Sequence, residues 1–259
     1  NPVTAVNIGQ GLPRALVAPN VSVASVADLA TYGLLTGIEQ EQLRDKMLTR
    51  FSNMYGAALG SGPVMEYLGQ TGIDALNGAD ILKEAPEKYE SDVEYGSSLI
   101  AQNLRDVASV HKADLGTRVF YTQQGSYDTH ATQAPAFSKL WTELAAAIQD
   151  FWDDLKMSGD DENVVMFLFS EFGRRVRDNG SGTDHGAAGV SFVIGPAVKG
   201  GMYSRYPETR SEALEQGDLV PNQDFRGVYS TILENWLEVE AAPIVNGTFS
   251  SENFFVGAN

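Results

Sequence analysis

The stretch from Val164 to Gly186 constrains the fold more than any other part of this chain. It begins with six apolar residues, Val164–Phe169, a run too short for an independent helix and rich in strand-forming residue types. Such a run predicts a strand that is buried on both faces of a sheet. The run ends next to Glu171, and a carboxylate directly after a buried strand lies where α/β sheets place their chemistry.

A strand–helix–strand pattern leads into this stretch. Thr117–Thr122 reads as a strand, and Pro135–Lys156 has the apolar spacing of an amphipathic helix. The pattern predicts two parallel strands, adjacent or nearly adjacent in one sheet, joined by a right-handed crossover. We expect Val190–Ile194 to form a third strand of that sheet. We therefore expect an α/β fold with a mostly parallel sheet and helices on both of its faces.

The first half of the chain is predicted to be mostly helical, after short strands or loops in residues 1–37. Apolar residues at helical spacing predict helices over Gly37–Tyr55, Val64–Gly69, Ile73–Lys83 and Tyr89–Lys112, with a glycine-rich break at Gly56–Gly62. A last helix is predicted over Phe225–Leu237, with Asn222 as its cap. We expect a single domain over residues 1–259, with a helical half (1–113) and a βαβ half (114–259) that carries the site.

Composition excludes several classes of function. The 259 residues carry a net charge of −16, so nucleic acid and anionic membranes are poor partners. The chain has no cysteine, which excludes disulfides, thiolate metal sites and cysteine nucleophiles. No run approaches the ~18 apolar residues that a transmembrane segment needs. The missing cysteine and the acidic composition favour an extracytoplasmic location, periplasmic or secreted.

Candidate metal ligands follow three of the predicted segments. Asp128 and His130 come after the first strand, Glu171 after the second, and Asp184 and His185 before the third. If strand geometry persists, Asp128 and His130 point to the same side, and carboxylates mixed with imidazoles suit a divalent ion. Each pair also has a purely structural interpretation. Asp128 can cap the following helix, and Asp184-His185-Gly186 can form an ordinary turn.

The combined motifs resemble a known bacterial family, called domain of unknown function 1501. The strings that carry the resemblance are Gly125–His130, Ser170–Arg175, Gly182–Gly186, Val198–Gly201, Asp224–Arg226 and Leu12–Arg14. That family is similar to the alkaline phosphatase and sulfatase superfamily, whose members hydrolyse phosphate or sulfate esters at a two-metal site. The resemblance implies a sulfatase-like α/β fold, a small anionic ester as substrate, and export from the cytoplasm.

The resemblance also implies roles for single residues. Asp128 and His130 match an Asp and a His that close one strand in the superfamily, although the usual spacing is wider. Glu171 takes the place of the Asp in a second Asp-His pair, and Phe172 takes the place of its His. His185 matches a later His, and Asp184 replaces the missing ligand. The implied cofactor is a divalent metal, either zinc, manganese, magnesium or calcium.

Two arginines, Arg174 and Arg175, are expected to stabilise the charge of the anionic ester; the alternative is a solvated charged loop. The superfamily's first metal-binding Asp and its Ser, Thr or formylglycine nucleophile have no match here. We therefore expect the chain to correspond to the carboxyl-terminal part of a family member, or to a member that has lost the front, and to be a poor hydrolase on its own. Three functions remain open: a metal-dependent ester hydrolase, a non-catalytic binding or structural module with a vestigial metal site, and an assembly protein without metal.

Overall fold

The computed structural model describes residues 1–18, 21–33, 38 and 40–257. Gly37, where the first predicted helix begins, lies outside the described residues. The chain divides into two compact units. Unit 1 comprises Asn1–Gly125 with Leu140–Met157, and unit 2 comprises Ser126–Lys139 with Ser158–Asn259. No helix in the described part of the chain has the length and apolar character needed to cross a membrane.

Unit 1 is built on a small parallel sheet with the strand order β2-β1-β3. Its strands are β1 (Ala5–Ile8), β2 (Val23–Val26) and β3 (Val119–Thr122), and its helices are α1 (Glu41–Gly56), α2 (Pro63–Leu82), α3 (Glu84–Lys88), α4 (Leu99–Lys112) and most of α5 (Gln133–Ser158). The central strand β1 is the most deeply buried, as expected of a parallel strand covered on both faces. Fully buried side chains of the core include Ile8, Val26, Leu82, Val110, Phe151 and Leu155.

The strands of the predicted βαβ unit exist, but they do not pair with each other. The described residues place β3 beside β1, whereas β4 (Met166–Leu168) pairs antiparallel with β7 (Phe192–Ile194) in a separate two-stranded sheet. The prediction that the first two strands are parallel neighbours in one sheet is therefore wrong. The strand that pairs with β3 is β1, which lies more than 100 positions away along the chain. The pattern around α5 is local, so it carries no information about this pairing.

The apolar run at Val164–Phe169 forms a shorter and less buried strand than predicted. All three residues of β4 are half-buried, and Phe169 is 45% exposed. Successive side chains of a strand point to opposite faces, so Phe167 and Phe169 share a face. Their rings stack at 5.3 Å, and Phe167 also packs edge-on against Tyr229 at 5.2 Å. A two-stranded sheet packed on one helix accounts for this partial exposure.

The α2 helix is continuous over 20 residues, where the sequence predicted two helices. Gly69, where the first of these two helices was predicted to end, and Gly72, just before the predicted start of the second, lie inside α2 and are buried. A Cβ atom on Gly72 would lie 2.2 Å from the ring of Tyr55 on α1, and one on Gly69 would lie 2.8 Å from the Tyr55 carbonyl oxygen. These glycines therefore allow α1 and α2 to approach closely and do not end the helix.

The predicted helix over Tyr89–Lys112 begins ten residues later, as α4 at Leu99. Ser98 caps it, because its side-chain oxygen accepts a hydrogen bond from the backbone N–H of Ala101 at 3.3 Å. Residues 89–98 have no helical turn before this cap. Some of their side chains instead donate hydrogen bonds to a buried carboxylate.

That carboxylate belongs to Asp154 of α5, which is fully buried. It accepts hydrogen bonds from the hydroxyls of Tyr89 at 2.7 Å, Ser91 at 2.6 Å and Tyr95 at 2.9 Å, and it forms an ion pair with Lys112. Burial alone raises the pKa of Asp154, but the hydrogen bonds from Lys112 and the three hydroxyls outweigh burial and lower the pKa below its ordinary value. A buried charge needs such partners, and this network explains why residues 89–98 are not helical.

Unit 2 contains two antiparallel strand pairs and short helices. Its elements are the start of α5, β4, β5 (Gly173–Asp178), β6 (Thr183–Gly186), β7, α6 (Phe225–Asn235) and α7 (Ala242–Val245). The predicted last helix is confirmed, but Asp224, not Asn222, caps it by accepting from the Arg226 N–H at 2.9 Å. Arg174 and Arg175, for which a solvated charged loop was the alternative interpretation, lie in β5. Within the described residues the fold is a mixture of helices and strands with one small parallel sheet, and two of the four pairings between its named strands are antiparallel.

Candidate metal centre

The first two candidate ligands, Asp128 and His130, lie in a tight turn and not in a strand. The β3 strand ends at Thr122, and residues 123–129 have no regular secondary structure. The backbone N–H of Thr129 donates to the carbonyl of Tyr127 at 2.8 Å, which closes a three-residue turn centred on Asp128. The turn, and not a continued strand, brings Asp128 and His130 to the same side.

The third residue of the cluster, His185, lies on the β5–β6 hairpin. Gly173 pairs with Gly186 and Arg174 with His185 at the start of this hairpin. Both glycines are required by close approach, since a Cβ on Gly173 would lie 1.9 Å from the carbonyl oxygen of Ala188 and one on Gly186 would lie 2.6 Å from the backbone of Arg174. The close packing at the start of the hairpin fixes the backbone next to His185.

Asp128, His130 and His185 form one cluster within unit 2. The Nε2 atom of His185 lies 2.7 Å from Oδ1 of Asp128, and Nδ1 of His130 lies 3.4 Å from the same oxygen. The two imidazole rings are 4.9 Å apart with an interplanar angle of 33°. All three side chains are exposed, by 64% for Asp128, 50% for His130 and 43% for His185. The predicted proximity of Asp128 and His185 is confirmed.

This donor set fits a divalent ion. The three ligand atoms lie within 4.8 Å of one another. An ion with ligand bonds of ~2.0–2.2 Å in a tetrahedral arrangement separates its ligand atoms by roughly 3.4 Å. The pair His130–Asp128 already has this separation. The pair His185–Asp128 is at hydrogen-bond distance and must open by less than an ångström, and the two imidazole nitrogens, which lie within 4.8 Å of each other, must move closer together. Two imidazoles with one carboxylate suit zinc or manganese better than magnesium or calcium, which prefer oxygen ligands.

The two other predicted ligands are not part of this cluster among the described residues. Asp184 is an exposed strand neighbour of His185 on β6. Its Oδ1 accepts a hydrogen bond from the side-chain amide of Asn179 at 3.1 Å. Glu171 is an exposed residue between β4 and β5. For both residues, a role as ligand stays a prediction.

A family model described as "Protein of unknown function (DUF1501)" matches residues 79–235, which is more than half of the chain. The chain belongs to this family. The matched range contains all five predicted metal ligands and both predicted anion-binding arginines. Neither the curated proteins nor the solved structures contained a match to the chain.

In this DUF1501 protein, the turn at Asn179–Gly182 holds the Asp128 segment in place. The side-chain amide of Asn179 donates to the carbonyl of His130 at 3.1 Å, and its oxygen accepts from the N–H groups of Ser181 and Gly182. The hydroxyl oxygen of Ser181 accepts a hydrogen bond from the backbone N–H of Thr132 at 2.8 Å. The sequence predicted this segment only as a loop rich in Gly, Ser and Asn, but that composition is typical of such a turn.

Phe172 supports His185, a role that the sequence interpretation missed. Its ring stacks on the imidazole of His185 at 4.2 Å with an interplanar angle of 9°. The resemblance had placed Phe172 where the superfamily has a metal-binding His, and so suggested a lost ligand. In the DUF1501 chain an aromatic ring at this place instead packs flat against one of the candidate ligands.

The two predicted anion-binding arginines differ in their surroundings. Arg174 is half-buried, and its terminal nitrogens donate to the backbone carbonyls of Thr183 and Tyr127. Arg175 is exposed and forms a long ion pair with Asp218 at 3.5 Å. Arg175 is therefore the more exposed of these two arginines, both of which lie on the β5–β6 hairpin of this DUF1501 protein.

Proposed function

We propose that this DUF1501 protein binds a divalent ion at Asp128, His130 and His185 and hydrolyses phosphate or sulfate esters there. The observation that carries the proposal is the convergence of one carboxylate and two imidazoles within 4.8 Å. Three protein ligands with an open position are typical of catalytic zinc sites, and the exposure of all three residues leaves space for a substrate. The ion would act as a Lewis acid on the ester and stabilise the leaving oxygen.

We also propose that the protein is sulfatase-like and works outside the cytoplasm. The order of its motifs along the chain supports the first part. A net charge of −16 and the lack of cysteine support the second. Fractionation of the native cells tests the location, and recovery of the protein only from the cytosol would contradict it.

Each residue of the cluster has a defined part in the proposal. His130 and His185 supply neutral nitrogen ligands, and Asp128 supplies a charge that partly offsets that of the ion. In the metal-free protein Oδ1 of Asp128 and Nε2 of His185 are within hydrogen-bond distance at 2.7 Å, and binding of the ion would replace this contact.

The first test is metal binding followed by turnover. Calorimetry with zinc and manganese should give one ion per chain, and His185→Ala should weaken binding at least tenfold. Hydrolysis of aryl phosphates and aryl sulfates should depend on the added metal and be lost in the same variant. His111→Ala is the matched control, because His111 is the third histidine of the chain and lies on α4 in unit 1. Equal loss in both variants would contradict the proposal.

The second candidate is a non-catalytic module that uses the same metal site. The surroundings of Arg174 favour it, because carbonyl groups of the protein already occupy both terminal nitrogens of this guanidinium. One of the two expected charge stabilisers is thus engaged within the fold. Metal binding without turnover of any phosphate or sulfate ester would support this candidate over the hydrolase.

A further inference from the structure

The guanidinium of Arg174 contacts both of the segments that carry the cluster. Its Nη2 donates to the carbonyl of Tyr127 at 2.6 Å and to the hydroxyl oxygen of Thr129 at 3.4 Å. These two residues lie on either side of Asp128. Its Nη1 donates to the carbonyl of Thr183, two residues before His185. One side chain thus ties the Asp128 turn to the His185 strand.

Aromatic contacts connect Arg174 to the cluster by a second route. The guanidinium carbon lies 5.1 Å from the ring centre of Phe172, which in turn stacks on His185 at 4.2 Å. It also lies 5.8 Å from the ring centre of Phe137, near the start of α5. The backbone of Arg174 pairs directly with that of His185 in the β5–β6 register. Displacement of the guanidinium would therefore disturb His185 as well as Asp128.

The geometry requires an arginine at this position. The guanidinium is a planar fork that donates in several fixed directions, whereas a lysine ammonium is a compact point charge on a flexible stem. Here the fork spans acceptors from residues 127 and 129 on one side and from residue 183, more than 50 positions further along the chain, on the other. A residue that clamps an anionic substrate needs donors directed at solvent. The terminal nitrogens of Arg174 are directed at the protein's own carbonyls, and its Nε is buried without a partner.

We infer that Arg174 is a positioning residue, which sets the separation of Asp128 and His185 and thereby the ion affinity of the cluster. The inference rests on the proposed metal site, but the arrangement it describes is a property of the metal-free protein too. It reassigns Arg174 from binding the ester to holding the ligands. Residues that orient metal ligands in this manner change metal affinity by about 10–100-fold when they are substituted.

The test uses Arg174→Lys and Arg174→Gln in the full chain, with Arg175→Lys and Arg175→Gln as matched controls. Arg175 is the strand neighbour of Arg174, is exposed and contacts Asp218 and not the cluster. The first measurement is the set of long-range 1H–15N cross-peaks of the imidazoles of His130 and His185 in the metal-free protein. Both Arg174 variants should shift these cross-peaks, and both Arg175 variants should leave them in place.

The second measurement is the affinity for zinc, with the absorption spectrum of the cobalt(II) form as a probe of ligand geometry. We expect both Arg174 variants to bind zinc at least tenfold more weakly and to alter the cobalt spectrum. The Arg175 variants should stay within twofold of the unsubstituted protein. Far-ultraviolet circular dichroism checks folding. If Arg174→Gln does not fold, Arg174→Lys, which keeps the charge and loses the fork, decides the result.

The outcomes separate the two claims. If the unsubstituted chain binds no zinc or cobalt, the proposed metal site fails, while the imidazole cross-peaks still judge the role of Arg174. If the cross-peaks and the zinc affinity of both Arg174 variants match those of the Arg175 controls, the inference is overturned even though the site binds metal. A lower melting temperature with unchanged cross-peaks and affinity would indicate a role in stability alone, and it would also overturn the inference.

Discussion

Removal of the charge of Lys112 should destabilise the protein far more than removal of the lysine from an ordinary surface ion pair. Lys112→Met leaves the fully buried carboxylate of Asp154 without its cation. Loss of one partner of a buried pair costs about 3–5 kcal/mol. Three hydroxyls still donate to Asp154 in the variant, which places the expected loss near the lower end, at about 3 kcal/mol. The melting temperature should fall by roughly 6–12 °C for a unit of this size.

The assay is urea denaturation and thermal melting, followed by circular dichroism. Lys88→Met is the control, because Lys88 pairs with Glu84 at 2.7 Å but both side chains are 52% exposed. The control should lose less than about 0.5 kcal/mol. Asp154→Asn in the Lys112→Met background should recover part of the loss, because the amide carries no charge that needs a partner. Equal stability of Lys112→Met and Lys88→Met would refute the reasoning.

The pH dependence provides a second test of the same network. Because the pKa of Asp154 is lowered on folding, its ionised form stabilises the folded state at pH values above its unfolded pKa of about 3.9. This contribution is lost as the pH falls through the lower, folded pKa. The stability difference between the unsubstituted protein and Lys112→Met should therefore be constant between pH 5 and pH 8, and should shrink below about pH 4. A constant difference down to pH 2 would contradict the assignment.

Three further predictions concern single groups. Burial and the hydrogen bond to Asp154 raise the pKa of Tyr89 to about 12 and also raise that of Tyr95, so absorbance at 295 nm should show at least these two tyrosines still protonated at pH 11. Stability should fall as the pH rises from 10 through 12. Gly173→Ala should lower stability by roughly 2 kcal/mol or more in urea denaturation, because its Cβ would meet the backbone of residue 188; Gly125→Ala, which meets nothing within 4 Å, is the control. Asp224→Ala should lower the free energy of unfolding in the same assay through loss of the α6 cap, and no change would contradict that role.

The sequence predicted the cluster better than the sheet. Asp128, His130 and His185 were recognisable because each lies beside a short segment of strong local character. The α5 helix was recognisable for the same reason, since 26 residues of helical spacing leave little ambiguity. The pairing of β1 with β3 was not, because it joins residues 5–8 to residues 119–122, and periodicity reports only local structure.

The remaining errors have a common physical origin. Gly69 and Gly72 suggest a break in any helix considered alone, and only the approach of Tyr55 makes them compatible with α2. Tyr89 and Tyr95 fit a helical pattern, but the buried charge of Asp154 draws their hydroxyls away from it. In each case a partner distant in sequence overrides a local preference, and the sequence does not identify that partner.

The separation of the cluster residues along the chain has a consequence for folding. Asp128 and His130 are neighbours, but His185 is 57 positions away from Asp128. In the unfolded ensemble, closing a loop of that length costs conformational entropy, so the three side chains meet only once the β5–β6 hairpin has docked against the turn. An ion that needs all three ligands binds the native state alone, and at 100 times its dissociation constant it stabilises that state by about 2.7 kcal/mol. The concentration of free ion would then set how much of the chain is folded under marginal conditions.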